Sequence, residues 1–326
     1  MIIITGGAGF IGSNLVAALE ARGEADLVVS DHATVAPGNI AKRSLRALIE
    51  PDDLPAFLAD NRDQVKAVFH MGATSSTMVT DAALFARNNY RYSLMLWQWC
   101  ATAGVPLIYA SSAATYGNGE RGFDDDGSIE GLARLQPLNP YGRSKHLFDR
   151  RIAHMLAAGH PAPPQWAGLK FFNVYGPNEY HKGNQRSVVA TIFPDARNGG
   201  PVRLFKSYRP DYADGGQLRD FVWVGDCVDI MLWLLDNPAA SGLFNVGTGK
   251  ARSFDDLAHA VFSALGLEPR IDYIDMPPEL RPRYQYFTEA RMERLRAAGY
   301  DRPATSLENG VRTYVQDFLN RDDPYR

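Results

Sequence analysis

An α/β architecture, a doubly wound parallel sheet joined to a smaller mixed α/β lobe, is what this 326-residue sequence predicts. Three observations carry the prediction. Short β-branched runs alternate with longer segments of helical spacing through the first half of the chain. A glycine-rich turn follows the first of those runs. After about Gly168 the alternation gives way to turn formers, and it returns only near residues 221–247.

Taken in order, Ile2–Thr5, Leu27–Ser30, Ala67–His70 and Pro106–Ala110 read as buried strands. Ser13–Arg22, Leu54–Asn61 and Ala82–Ala103 carry apolar residues every three or four positions, the pattern of helices packed on a sheet. Tyr141–Leu156 is a further helix that starts at Asn139-Pro140. Leu169–Val174 reads as a strand, and Gly176–Gly183 and Ser207–Gln217 as loops. Phe221–Trp223, Asp226–Leu235 and Gly242–Val246 restore the strand–helix–strand rhythm. The remainder, with Pro277-Pro278 and Arg281-Pro282-Arg283, belongs to the smaller lobe. The expected division is 1–171 for the sheet domain, with a return segment at about 221–247, and 172–326 for the second lobe.

Composition narrows the function classes. At 45% hydrophobic and 22% charged residues, the chain is neither disordered nor fibrous. Lys and Arg total 34 against 37 Asp and Glu, a net charge of −3, so no cationic surplus exists to hold nucleic acid or a membrane surface. Cys100 and Cys227 are too few for a disulfide framework and lack metal-ligand spacing, so no metal is expected. The opening Met1-Ile2-Ile3-Ile4 runs into Thr5-Gly6-Gly7 without the basic start or long apolar run of a signal peptide. A cytoplasmic setting follows as the expectation.

Gly7-Ala8-Gly9-Phe10-Ile11-Gly12, preceded by Gly6, fits G-x-G-x-x-G between a strand and a helix. Glycines there permit a tight turn and close backbone approach to a pyrophosphate facing the helix N-terminus. Glycine turns are common in parallel folds; placement on the first strand is what favours a dinucleotide. Asp31, at the end of the second strand, stands where an acid binds a ribose hydroxyl, which favours NAD. Lys42 and Arg43 follow in the same connection and suit a 2′-phosphate, so the choice stays open.

Tyr141 and Lys145 are four apart on one helix face, downstream of Ser111-Ser112 at a strand end. Tyr-x-x-x-Lys alone arises by chance in many helices. Behind a dinucleotide fingerprint, the set resembles the extended short-chain dehydrogenase/reductase family, in which Ser, Tyr and Lys form the catalytic set, here Ser112, Tyr141 and Lys145. The chemistry is plain. A phenol with pKa about 10 is a poor base near neutrality, and a neighbouring Lys⁺ favours the phenolate.

Further segments narrow the resemblance: Tyr109–Gly117, Phe172–Pro177, His181-Lys182-Gly183, Arg219-Asp220-Phe221, Tyr284-Gln285 and Leu295–Tyr300. Over nearly the whole chain it is similar to the ADP-glyceromanno-heptose 6-epimerase family. That resemblance implies a homo-oligomer, a homopentamer, with tightly held NADP, acting on a nucleotide-sugar in lipopolysaccharide inner-core synthesis. It implies that Tyr141 and Lys182 serve as the acid/base for the two epimers. One fixed tyrosine cannot serve a hydroxyl presented on either face of carbon 6″, and a second group at another angle answers that geometry. By motif, Gly6, Gly9, Phe10, Ile11, Gly12, Asp31, His32, Lys42, Met71, Gly72, Ala73, Thr74, Ser75, Asn88, Tyr141 and Lys145 are implied at the cofactor. Ser112, Asn173, Asn184, Phe205, Lys206, Ser207, Tyr208, Arg219 and Tyr284 are implied at the substrate, Arg219 as the fork that matches diphosphate oxygens. The plain reading of Arg219 is an ion pair with Asp220.

The chain also departs from that family. His32 follows Asp31 where the family has Asn, Lys42 is displaced, Asn184 replaces a small hydroxyl residue, and Tyr208–Leu218 is longer. Ala113-Ala114 occupy the place of the acidic pair that a 4,6-dehydratase needs, which argues strongly against elimination. A hexose 4-epimerase on the same scaffold, or a sensor without turnover, are the remaining alternatives.

Overall fold

The computed structural model describes residues 1–326 except 33, 35, 77, 78, 282 and 283. Pro282 and Arg283 of the proline-rich stretch therefore lie outside the described residues. The strands are β1 (Ile2–Thr5), β2 (Leu27–Ser30), β3 (Ala47–Ile49), β4 (Ala67–His70), β5 (Leu107–Ser112), β6 (Trp166–Phe171) and β7 (Asn173–Tyr175), then β8 (Val202–Phe205), β9 (Leu218–Arg219), β10 (Phe221–Trp223), β11 (Gly242–Val246), β12 (Arg252–Ser253) and β13 (Ile271–Ile274). The helices are α1 (Phe10–Ala21), α2 (Pro37–Ile40), α3 (Leu54–Asp60), α4 (Ala82–Phe85), α5 (Tyr92–Ala103) and α6 (Ile129–Ala133), then α7 (Pro140–Ala157), α8 (Val188–Arg197), α9 (Val224–Asp236), α10 (Phe254–Leu265), α11 (Glu293–Ala297) and α12 (Leu307–Tyr314).

Seven strands form one parallel sheet in the order β11-β6-β5-β4-β1-β2-β3. The chain steps outward from β1 to β3, then returns to the other side of β1 as β4. That reversal opens a crevice beyond the carboxyl ends of β1 and β4, where ligands of such sheets bind. The expected Rossmann sheet is therefore present, and three two-stranded ribbons, β7–β10, β8–β13 and β9–β12, extend the second lobe.

Apolar stripes set the layers. Leu15, Val16 and Leu19 of α1 pack with Val228, Met231 and Leu234 of α9 on one sheet face. Leu54 and Leu58 of α3, Leu96 and Trp97 of α5, and Phe148 and Ile152 of α7 cover the other. Val189 and Phe193 of α8, Val261 and Phe262 of α10, and Val311 and Tyr314 of α12 make a separate core.

Three local expectations change. The long helix from Ala82 contains a π-helical turn, Ala86–Arg91, between α4 and α5. Periodicity does not reveal the single extra residue that such a turn takes in. The strand Leu169–Val174 is two strands, because after Phe171 the chain leaves β5 and β11 and pairs with β10 instead. β3, with one exposed and two half-buried residues, is an edge strand that the sequence pattern did not mark. Among the described residues no helix is long and apolar enough to cross a membrane.

Candidate active site

The β1–α1 turn is built by contact rather than by preference. Gly6 has φ +66°, and a Cβ there would stand 2.4 Å from the Gly72 nitrogen, so the turn lies directly against the loop after β4. A Cβ on Gly12 would stand 2.1 Å from the Gly6 carbonyl oxygen, so only glycine lets α1 start this close to the strand. Helix α1 begins at Gly9 with no side-chain cap and no acid in its first turn. Its free N–H groups and dipole suit an anion. Phe10 is buried and Ile11 half-buried behind this turn.

Asp31 closes the far side. Its carboxylate accepts from the Ala8 nitrogen at 3.0 Å and the His32 nitrogen at 2.9 Å. Burial pushes its pKa up, and those backbone donors oppose the shift. An uncapped helix start beside a carboxylate at the next strand end fits a dinucleotide: diphosphate at the first, ribose at the second. His32 and Lys42 turn elsewhere. His32 pairs with Glu50 at 2.8 Å, while Lys42 pairs with Asp323 at 2.7 Å and donates to the Tyr325 carbonyl at 2.6 Å.

The loop Met71–Ser75 lines the crevice beside Gly6. The Met71 nitrogen donates to the Thr5 carbonyl and the Gly72 nitrogen to the Thr5 hydroxyl. Ala73 is half-buried and Ser75 exposed. Thr74 is gripped from the π-helical turn. Asn88 donates to its hydroxyl at 3.0 Å, and fully buried Asn89 takes both its N–H and its carbonyl. Asn89 also donates to Ser144 of α7 at 2.9 Å, linking the loop to the helix that carries Tyr141. Sequence reasoning missed Asn89, because the π-helical turn advances the inward face by one residue.

At the end of β5, the Ser112 hydroxyl accepts from the Ala114 nitrogen and lies near enough to the Tyr141 phenol to lower its pKa. Burial raises the Tyr141 pKa above that of a free phenol, and Ser112 works against it. One helical turn on, Lys145 is 3% exposed and donates to the Ala110 carbonyl at 2.7 Å. Burial lowers its pKa to about 8, while Asp149 raises it. Two further charged groups, Asp149 and Lys170, lie fully buried behind Lys145 at 2.9 Å from each other. Their signal was legible: Asp149 continues the Tyr141–Lys145 spacing, and Lys170 is a charge inside an apolar strand.

Lys182 stands on the opposite flank, in the short helical turn Tyr180–Gln185. Its ammonium lies 5.2 Å from the Phe10 ring centroid, which brings it to the β1–α1 turn. Burial lowers its pKa, and neighbouring Glu179 raises it. Glu179, fully buried, accepts from the Ser187 backbone and hydroxyl and from Tyr314, another partner that sequence reasoning missed. Strands β1 and β5 are separated by β4, so their carboxyl ends lie about 10 Å apart across the sheet.

In the second lobe, Arg219 is 7% exposed and has no ion pair among the described residues. Its guanidinium stacks on Tyr284 and Phe254 at 5.3 and 5.5 Å and donates to the Leu218 carbonyl. The plain expectation of an Arg219–Asp220 pair fails, because Asp220 accepts instead from Thr248, Gly249 and Ala290. Phe205 packs edge-on against Tyr284. Lys206 pairs with Asp275 at 3.3 Å, the Ser207 nitrogen donates to Asp214, and the Arg281 guanidinium covers the Tyr208 ring at 3.7 Å. Asn173 and Asn184 are exposed, the former within 3.4 Å of the Thr288 hydroxyl. A cavity of about 580 Å³ lined by Asp236, Phe244 and Arg294 opens at the other end of β11 and shares none of these residues.

The model of the NAD dependent epimerase/dehydratase family matches residues 2–247. The ADP-L-glycero-D-manno-heptose-6-epimerase of Nitratidesulfovibrio vulgaris (strain DP4) is 49% identical, with both chains covered in full. Among solved structures, the Helicobacter pylori ADP-L-glycero-D-manno-heptose-6-epimerase is 28% identical with a TM-score of 0.78, covering 97% of this chain and 95% of its own. The Thermus thermophilus UDP-glucose 4-epimerase, solved with NAD, is 28% identical with a TM-score of 0.71, covering 95% and 96%. The chain thus belongs to the NAD dependent epimerase/dehydratase family.

Proposed function

We propose that the protein interconverts ADP-D-glycero-β-D-manno-heptose and ADP-L-glycero-β-D-manno-heptose through a 6″-keto intermediate, in lipopolysaccharide inner-core precursor synthesis. The observation that carries this reading is the pair of flanks. A phenol beside Ser112, with a buried ammonium one helical turn on, stands on one side of the crevice, and the half-buried Lys182 ammonium, beside Glu179, on the other. The full-length relative's activity supports the sugar.

A bound nicotinamide dinucleotide supplies the acceptor and donor of the carbon-6″ hydride. The β1–α1 turn and Asp31 would hold its diphosphate and ribose, and the charge of Lys145 would favour the Tyr141 phenolate. Tyr141 takes or returns the 6″-hydroxyl proton in one pose. Lys182, whose burial favours the neutral amine, does so when the other face is presented. Arg219, a desolvated cation with no anionic partner among the described residues, grips the diphosphate of the sugar nucleotide. Asn173, Asn184 and the Phe205–Tyr208 strand end surround the remainder.

Carbon-6″ stereochemistry read by NMR after incubation with the purified protein tests the reading. Inversion is the expected result; unchanged carbon 6″ alongside conversion of a UDP-hexose replaces it with a 4-epimerase. NADP is the dinucleotide that the family resemblance supports. A second reading, NAD, is favoured by one observation: the cations following Asp31 are engaged, Lys42 with Asp323 and Arg43 with Glu20. Side-by-side titration of stripped protein with both dinucleotides decides, and tighter NADP binding removes the second reading. A homo-oligomer accompanies the proposal, and light scattering checks it.

A further inference from the structure

A lysine in the middle of a parallel sheet and an aspartate inside a helix face are expensive places for charge. A fully buried pair of this kind is often no more stable than an apolar pair of the same size. Lys170 and Asp149 are both fully buried, and each is saturated. Asp149 accepts from Lys170 at 2.9 Å, from the Ser111 hydroxyl at 2.7 Å and from the Tyr109 phenol at 3.2 Å. Lys170 also donates to the Thr115 hydroxyl at 2.8 Å and lies over the Tyr116 ring. Stability gives little reason for this arrangement, so the partners are the informative part. Ser111 and Thr115 bracket Ser112, and the Thr115 hydroxyl donates to the Ser112 carbonyl at 2.8 Å. On α7, residues 141, 145 and 149 follow one another turn by turn along a single face. One carboxylate therefore ties three elements together: α7, the end of β5, and β6.

We propose that the Asp149–Lys170 pair is a positioning unit for Ser112, Tyr141 and Lys145, locking α7 in rotation and height against the ends of β5 and β6. The proposal rests on the epimerase reading for its rate measurement. Geometry is the first effect: without the tie, α7 turns, and the Tyr141 phenol leaves Ser112. Charge is the second. Asp149 faces Tyr109 from β5, Tyr116 from the turn after it, Lys170 from β6, and Lys145 and His146 from α7 itself. Lys145 in turn faces His70 from β4. Of these groups, Asp149 is the anion that raises the Lys145 pKa against the lowering by burial.

The decisive variant is the double Asp149→Leu/Lys170→Met, which removes both charges and leaves neither buried alone. Expected are a melting temperature close to the parent, kcat lower by at least about tenfold with KM nearly unchanged, and an alkaline limb of kcat moved to lower pH. Lys170→Arg, which keeps the charge, restores most of the rate. A double variant with the parent's kcat and pH profile overturns the proposal. Should the double variant not fold, Asp149→Asn takes its place, and a parent-like profile there overturns the proposal equally. Absence of turnover in the parent itself counts against the epimerase reading, not against the pair. The pair is then judged by Tyr141 ionisation, read as the ultraviolet phenolate signal that Tyr141→Phe removes. A displaced titration supports the pair, and an unmoved one overturns it.

Discussion

The two flanks of the crevice are built on different principles. On the Tyr141 flank, every group sits on a long element: α7 spans eighteen residues and β5 six, with Asn89, Asp149 and Lys170 tying them together. On the Lys182 flank, the amine is carried by a six-residue turn containing Gly183 at φ +54°, ψ −126°. Its supports are Glu179 beneath it and the preceding Asn178, whose left-handed backbone is held by hydrogen bonds to Ser13 and to the Arg326 nitrogen. Rigidity on one side and a short braced turn on the other is what a site needs if one base keeps a fixed angle and the second meets a substrate that has turned over.

The largest expected effect attacks both flanks at the reacting atoms. Tyr141→Phe lowers kcat for interconversion by about 10²–10⁴-fold, and Lys182→Met by about 10²-fold, read by NMR of the two epimers. Near-normal turnover of Lys182→Met breaks the comparison, since one flank would then suffice.

Acid reaches both flanks next. Burial lowers the pKa of His181 beside Lys182, and on the Tyr141 side it lowers that of His70 to about 3 and that of His146 to about 4. The unfolded chain binds these protons near pH 6.5 and the folded one does so only at lower pH, so stability is full above pH 6.5 and falls as pH drops. By pH 5 His70 and His146 each cost about 2 kcal/mol of stability. Urea melts at pH 7.5 and 5 check this, and His146→Leu removes about 2 kcal/mol of the difference.

The smallest effect sharpens the other flank. A Cβ at Gly183 meets nothing within 4 Å, so Gly183→Ala costs only its backbone strain, about 1–3 kcal/mol. Expected are a small drop in melting temperature and a several-fold loss of kcat. The equivalent change on a helix-borne Tyr141-side residue, Arg143→Ala, leaves kcat unchanged. Equal responses would show the flanks to be equally rigid.

Legibility followed the same division. The central sheet, the glycine turn, Asp31 and the Tyr141–Lys145 face were readable because strand runs, tight turns and helical spacing are local patterns. Lys182 was reached only by resemblance, since a lysine in a glycine-bearing turn has no period to mark it. Asn89 had no mark in the sequence, because a π-helical turn changes which residue faces inward without altering composition. Asp149 and Lys170 are twenty-one positions apart, and their pairing exists only once β6 lies beside β5.

By itself, the order of residues determined which segments bury an apolar face and where the backbone must bend, because both depend on neighbours within a few positions. Tertiary structure alone decided which charges meet: that Arg219 stacks on aromatic rings and leaves Asp220 to backbone donors and the Thr248 hydroxyl, that Lys42 turns to Asp323, and that Lys182 reaches Phe10. Electrostatic partners are chosen by distance through space, and that distance is set by how the layers stack.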